Sequence, residues 1–411
     1  MRVLYSILVF TYSFIIKIAG VFNHKARLWS DGRKNIIHRI KKDFASISEK
    51  TIWIHSASLG EFEQGRPIIE ALKTSYPNTK IVLTFFSPSG YEIRKDYPLV
   101  DFVYYLPSDS PKNAKAFVSA INPSIAIFIK YEFWYNYMHE LNQQNIPLIY
   151  ISAIFRPKQL FFKPCGKWFL NHLKKVNHFF VQNKESYRLL KAKKIHQVTI
   201  SGDTRFDRVA SILKQAQKNE IVEAFKGTST IFLAGSSWPK DEEIIKQLSL
   251  QYPDLKIIIA PHLIDAHHIH QIQALFPKAV TYTKTNTEEA LKAPVLIINN
   301  MGMLSSLYQY ADYALIGGGF GAGIHNTLEA ATYGMPIFIG PNYHKFQEAK
   351  DLIDRDVISV FNHAEELKEA FDRLLNNKEH YQQIVKASQE YVQEKSGATT
   401  QIMERISEII N

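Results

Sequence analysis

Short apolar, β-branched runs recur through the first half of the chain at Thr51–Ser56, Lys80–Phe86, Phe102–Leu106, Ser124–Lys130, Pro147–Ala153, His178–Gln182 and Val198–Ser201. Between them, stretches such as 64–75 and 133–144 carry apolar residues at helical spacing. Strand-length runs alternating with helical patterns predict a parallel sheet covered by helices on both faces. After Gly202–Asp207 the pattern loosens into the polar stretch Ser211–Thr230. It then restarts with Thr230–Gly235, Lys256–Ala260, Val295–Ile298, Tyr313–Gly317 and Pro336–Gly340. The expectation is α/β throughout, with two doubly wound domains joined somewhere in 208–228. From about Asn377 the residues read as polar helices, expected to pack back across both domains.

The N-terminus breaks this pattern. Val3 to Phe22 is almost wholly apolar apart from Lys17, and a helix of ~20 residues covers ~30 Å, about one hydrocarbon core. Lys25, Arg27, Arg33, Lys34, Arg39, Lys41 and Lys42 follow at once. By the positive-inside rule such a cluster keeps the remainder on the cytoplasmic side, against an anionic leaflet. A cleaved signal peptide is the rival, but no small-x-small site separates the apolar from the basic run. A buried helix of a soluble protein is the other alternative, because Lys17, Ser13 and Thr11 interrupt the apolar surface. The expected division is a membrane-anchor helix at 1–24, one domain over 25–210, a second over 211–376, and closing helices over 377–411.

The 411 residues are ample for two cores, and the formal net charge of +10 favours anionic partners. Cys165 is the single cysteine, which excludes an intramolecular disulfide and argues against a cysteine-based zinc site. The basic residues cluster beside the apolar run, not along an aromatic-interleaved groove, so nucleic acid is disfavoured.

In doubly wound sheets, ligands sit beyond the carboxyl ends of the strands. Trp53-Ile54-His55-Ser56-Ala57-Ser58-Leu59-Gly60-Glu61 is a strand, a small-residue turn and a helix start. Glu61 stands where a carboxylate can take a proton, or where an acid simply compensates its own helix dipole. Lys130-Tyr131-Glu132-Phe133-Trp134 places a charged pair at a strand end, which implies a partner or a ligand. Gly202-Asp203-Thr204-Arg205-Phe206-Asp207 offers a fixed cation to an anion, or a salt bridge.

In the second half, Gly317-Gly318-Gly319-Phe320-Gly321-Ala322-Gly323-Ile324-His325-Asn326-Thr327-Leu328-Glu329-Ala330 joins a strand to a helix. Its glycines suit a phosphate cradle, and Glu329 can accept from ribose hydroxyls. The run is neither a dinucleotide fingerprint nor a P-loop with its lysine. Ser236 and Ser237 after one strand, and Pro261-His262 after the next, can frame a phosphate and a base, or serve as ordinary helix caps. The cluster of His262, His267, His268 and His270 lacks an H-E-x-x-H pattern and cysteine partners, which favours a solvated helix face over a metal.

The order of these motifs resembles the 3-deoxy-D-manno-octulosonic acid (Kdo) transferases that act on lipid A precursor. The resemblance rests on Ser58-Leu59-Gly60-Glu61, Glu132-Phe133-Trp134, Gly202–Asp207, Met301-Gly302, His325-Asn326-Thr327-Leu328-Glu329 and Gly340-Pro341-Asn342. It implies two Rossmann-like domains of the GT-B type and an inverting transfer from CMP-Kdo, with no metal or other cofactor. On the same resemblance, Glu61 is the general base, while Glu132 and Arg205 assist the transition state. Pro261, His262, Met301, Gly302, Met303, Asn326, Thr327, Leu328 and Glu329 match its segments that hold the CMP of CMP-Kdo, and Ser236 and Ser237, read from their strand-end loop, are expected to join them. The implied partners are CMP-Kdo, a lipid A precursor and an anionic inner-membrane surface, reached from the cytoplasmic side.

Several positions depart from that family pattern. Arg205 stands where lysine is usual, Pro261-His262-Leu263 lacks an arginine, Met303 replaces a carboxylate, Ala330 replaces a proline, and Lys345 adds a cation. The alternatives are another GT-B transferase or epimerase using a UDP-sugar, or a membrane-associated nucleotide-sugar-binding protein without catalysis.

Overall fold

The computed structural model describes residues 1–215 and 218–410. They gather into two compact units, one formed by Met1–Arg208 with the closing residues from Lys395, the other by Val209–Glu394. Positions 216 and 217, inside the stretch expected to join the domains, lie outside the described residues.

The first unit holds seven parallel strands, β1 (Thr51–Ser56), β2 (Lys80–Phe85), β3 (Phe102–Tyr105), β4 (Ile125–Ile129), β5 (Leu148–Ala153), β6 (His178–Val181) and β7 (Val198–Ile200), ordered β3-β2-β1-β4-β5-β6-β7. Every residue of β1, β4 and β5 is buried, as befits parallel strands covered on both faces. Successive side chains still part to opposite sides. Trp53, Ala126 and Phe128 enter one apolar cluster, while Ile52, Ile54, Ile125, Ile127 and Ile129 enter the other.

The second unit repeats the plan with β8 (Ile231–Ser237), β9 (Lys256–Pro261), β10 (Val280–Thr281), β11 (Val295–Ile297), β12 (Tyr313–Ile316), β13 (Ile337–Ile339) and β14 (Ile358–Val360). Their order is β10-β11-β9-β8-β12-β13-β14, again all parallel. The two edge strands, β10 and β14, are not among the apolar runs read from sequence. Each buries a single residue, Thr281 in β10 and Ile358 in β14, so neither carries the run of buried apolar residues that marks the inner strands.

The closing helices differ from the polar reading. Lys378–Lys395 belongs almost wholly to the second unit, whereas Ala398–Ile410 belongs to the first. The latter is amphipathic, and Ala398, Ile402, Ile406 and Ile410 enter the cluster that holds Ile68 and Ile69.

The N-terminal helix runs from Arg2 to Ala19 and is the one helix among the described residues long and apolar enough to cross a membrane. One of its faces lies on the first unit. Tyr5 Oη donates to Asp109 at 2.6 Å, Arg2 Nε to Asn136 Oδ1 at 3.1 Å and Ser13 Oγ to Ser108 at 3.2 Å. The Tyr5 ring meets Tyr135 edge-on at 5.2 Å. The opposite face exposes Val3, Leu4, Ile7, Phe10, Phe14, Ile15 and Ile18.

Candidate functional site

In each sheet, one pair of neighbouring strands marks where the strand order reverses, β1 beside β4 in the first unit and β8 beside β12 in the second. Loops leaving such a pair diverge and open a crevice beyond the strand ends. Each crevice carries a non-glycine residue in the left-handed region, Lys130 at φ 69° directly after β4 and Ser236 at φ 52° near the end of β8. Such backbone is uncommon outside glycine and concentrates at functional sites.

In the first unit the turn after β1 delivers Ser58 to the N-cap of the helix Leu59–Ser75. That helix begins several residues before the periodic stretch read from sequence, and its early Phe62 is buried. Glu61 lies in its first turn and is buried. The Ser58 hydroxyl donates to Glu61 Oε2, and Lys130 Nζ stands 3.5 Å from Glu61 Oε1. A buried carboxylate held by a hydroxyl on one oxygen and facing an ammonium on the other is fixed in orientation, which a proton acceptor requires.

Glu132, also buried, accepts from Trp134 Nε1 at 3.0 Å, and the same indole faces His55 Nε2 at 2.9 Å. His55 Nδ1 lies 3.2 Å from the Thr84 carbonyl. His55 Nδ1 also meets Thr84 Oγ1 at 2.9 Å, and its Nε2 lies 3.4 Å from Glu132 Oε2. His55 and Trp134 therefore belong to this site. Both stand in motifs read from sequence, but the strand register that joins them to Glu132 is not legible there.

Arg205 opens the helix Arg205–Gln215 and is clasped by Asp203, its Nη2 lying 2.9 Å from Asp203 Oδ2. Gln64, one turn beyond Glu61, donates to the same carboxylate oxygen at 2.8 Å. The two segments are thus fixed to each other. Asp207 instead caps the helix Ala398–Ile410, accepting from Thr399 N and Thr399 Oγ1, both at 2.7 Å, and from Gly397 N.

In the second unit Asp241 is fully buried. One carboxylate oxygen receives Trp238 N at 2.9 Å and Gly318 N at 3.1 Å, and burial raises its pKa to about 6. This carboxylate ties the segment after β8 to the glycine loop after β12. Gly318 must be glycine, since its φ is 90° and a Cβ would lie 2.6 Å from the Gly323 carbonyl oxygen. Gly319 packs so closely on Gly340 that a Cβ would fall 2.6 Å from its Cα.

The loop is less open than a simple phosphate cradle. The amides of Gly317, Gly318, Gly321, Gly323 and His325 are all bonded within the unit. Ser237 is likewise turned inward, its hydroxyl donating to Glu242 at 2.8 Å, with His268 on the other oxygen of that glutamate at 3.0 Å. His268 is therefore a buried structural residue, whereas His267 and His270 are exposed.

His262 forms a ring stack, lying 4.8 Å from Trp238 and 4.4 Å from His325. Burial lowers the pKa of both imidazoles, that of His325 to about 4, where His262 beside it adds to the effect. The neutral, stacked rings suit contact with a planar base. Met301 is 77% exposed and Gly302 has φ 89° with open space around it. Met303 Sδ receives Asn300 Nδ2 at 2.9 Å. Asn326 bonds both Leu328 N and Glu329 Oε1. Thr327 is buried with its hydroxyl unpartnered among the described residues. Pro261 ends β9, whose residues are mostly buried.

The family described as 3-Deoxy-D-manno-octulosonic-acid transferase (kdotransferase) matches residues 34–208. The 3-deoxy-D-manno-octulosonic acid transferase of Haemophilus influenzae is 26% identical over 367 residues, covering 86% of each chain. Residues 34–208 thus match the Kdo transferase family, and the chain is similar to Kdo transferases over most of its length. A second Kdo transferase, from Aquifex aeolicus, is 28% identical over 312 residues, covering 74% of this chain and 80% of the relative. Among solved structures, UDP-GlcNAc 2-epimerase from Neisseria meningitidis bound to UDP-GlcNAc aligns with a TM-score of 0.62 and 16% identity, covering 88% of this chain and all of that one. At that identity the likeness concerns the fold, and it agrees with two parallel-sheet α/β domains of the GT-B type. The likeness supports a glycosyltransferase of lipopolysaccharide biosynthesis.

Proposed function

We propose that the protein transfers Kdo from CMP-Kdo to a lipid A precursor with inversion at the anomeric carbon, on the cytoplasmic side of the inner membrane. The observation that carries this reading is the setting of Glu61, a buried carboxylate between the Ser58 hydroxyl and Lys130 Nζ at a sheet's reversal point. Glu61 takes the proton of the acceptor hydroxyl as that oxygen attacks. Glu132 and Arg205 support the charge that builds up on the sugar. The second unit holds CMP, with the His262 ring stack beside the base, Glu329 and Asn326 at the ribose, and Ser236, Thr327, Leu328 and the Met301-Gly302-Met303 loop completing the donor site. Ser237 acts there through its backbone, because its hydroxyl is bound to Glu242.

Departure of CMP from a tertiary anomeric carbon leaves an oxocarbenium-like sugar and a phosphate dianion, so fixed donors around the phosphate stabilise the transition state more than the ground state. The net charge of +10 suits a donor bearing phosphate and carboxylate, a phosphorylated acceptor and an anionic leaflet. The apolar outer face of the helix Arg2–Ala19 provides the anchor.

The test is incubation of the purified full chain with CMP-Kdo and lipid A precursor, reading CMP release and the mass of the lipid product. Glu61→Gln is expected to fold and bind CMP while losing at least about 1,000-fold in turnover, a loss of about 4 kcal/mol of transition-state stabilisation. An unchanged rate removes Glu61 from the mechanism. Thermal stabilisation by UDP and not by CMP overturns the donor assignment in favour of a UDP-sugar enzyme.

A further inference from the structure

An apolar groove of about 520 Å³ runs between the N-terminal helix and the body of the first unit. Leu8, Val9 and Tyr12 of the helix form one wall, and Trp29, Phe86, Trp134 and Leu160 are among the residues of the others. Its rings pack on one another, with Tyr12 stacked on Phe86 at 6.3 Å and Phe86 tilted against Trp134 at 4.8 Å. Trp134 is the indole that donates to Glu132. The groove therefore ends at a residue of the candidate catalytic site, one hydrogen bond from the Glu132 carboxylate.

Two further features identify the occupant. Leu8 and Tyr12 both line the groove and stand exposed on the outer side of the helix, so the groove is continuous with the apolar face that carries Leu4, Ile7 and Ile15. A hydrocarbon chain can pass from a lipid layer into it without crossing water. Next to it, sharing Ser108, lies a cavity of about 460 Å³ lined by Arg33, His38 and Lys41. Arg33 is turned inward, its guanidinium 3.9 Å above the Trp29 ring and bonded to the carbonyls of Trp29, Phe86 and Leu106. His38 and Lys41 are exposed. An apolar slot beside a cationic one complements a lipid bearing a phosphate.

Resting on the function proposed above, we propose that this groove holds one acyl chain of the lipid acceptor and so presents the sugar hydroxyl to Glu61. Binding a chain here removes methylenes from water at about 0.8 kcal/mol each, and pockets of this size and character are typical for small apolar ligands.

The test fills the groove from either wall in the full-length protein, with Val9→Trp on the helix and Leu160→Trp opposite. The probe is cis-parinaric acid, whose fluorescence reports binding without any catalysis. Activity is followed with the acylated acceptor and with the same head group stripped of its acyl chains. Each variant that keeps the wild-type melting curve is expected to lose parinaric acid binding. Its KM for the acylated acceptor should rise about tenfold, the worth of about two buried methylenes, with no change towards the stripped acceptor. Acceptor should displace the probe from wild-type protein, and the same concentration of phosphatidylglycerol in the same detergent should not. Equal losses on both acceptors, an unchanged KM for the acylated one, or equal displacement by phosphatidylglycerol overturns the assignment. If wild-type protein glycosylates neither acceptor, the transferase reading fails, while probe binding and its loss in the variants still decide whether the groove takes acyl chains.

Discussion

Asp241 receives the amide of Gly318 at 3.1 Å although 77 residues separate them, and the same oxygen receives Trp238 N. A single buried carboxylate thus fixes both loops at the reversal point of the second sheet. Replacing it by alanine leaves buried amides unpaired, at about 1–3 kcal/mol for each unsatisfied group. Asp241→Ala is expected to lower the melting temperature and to weaken CMP binding about tenfold or more in calorimetry. CMP affinity equal to that of the wild type would show that the glycine loop holds its shape without this tie.

The indole N–H of Trp134 lies within hydrogen-bonding distance of two acceptors at once, Glu132 Oε2 at 3.0 Å and His55 Nε2 at 2.9 Å. Trp134→Phe keeps the ring packing with Phe86 and removes the donor. The expected result is a fall of about 10- to 150-fold in kcat with the KM for CMP-Kdo unchanged, since one hydrogen bond to a charged group is worth about 1.5–3 kcal/mol. A rise in the donor KM with kcat preserved would place Trp134 in donor binding instead.

The ring stack around His325 sets a pH dependence. Its pKa in the fold is about 4 against an ordinary 6.5, so between those values the unfolded chain takes up a proton that the folded one does not. The stability contributed by the neutral ring is complete above pH 6.5 and is lost as the pH falls towards 4. Thermal melting of wild-type protein should decline across that window, and His325→Gln should flatten that part of the curve. Parallel curves for the two proteins would exclude His325 as the titrating group.

Asp207 accepts from Thr399 N and Oγ1 and from Gly397 N at the start of the last helix. Asp207→Ala removes this cap, a change that costs about 0.5–2 kcal/mol. Amide exchange at the first turn of Ala398–Ile410 should accelerate while exchange in β1 and β4 stays slow. Unchanged exchange in that turn would mean that Ile402, Ile406 and Ile410 alone hold the helix.

Much of this was legible in the residues. The buried strands announced themselves because parallel strands covered on both faces read as continuous apolar runs, and the motifs at their carboxyl ends could be placed from them. The edge strands β10 and β14 were silent because each buries a single residue. The last helix read as polar because its apolar positions recur every fourth residue amid charged ones, from Ala398 through Ile402 and Ile406 to Ile410. Composition along the chain does not show the face they form. Contacts across the fold were also silent. Nothing near Gly318 points to Asp241, and nothing near Ser237 tells that its hydroxyl turns inward to Glu242. Asp207 stands in a motif that offered a cation or a salt bridge, and its partner proved to be a helix end 190 residues away.

The helix Arg2–Ala19 is also a structural wall of the first unit. Deleting it to obtain a soluble enzyme would strip the Tyr5 hydroxyl from Asp109 and bare the rings of Tyr135 and Phe169 that Tyr5 covers. Solubility is better sought by hydrophilic replacement of outward positions such as Val3, Ile7, Phe14 and Ile18, leaving Arg2, Tyr5, Val9 and Ser13 in place.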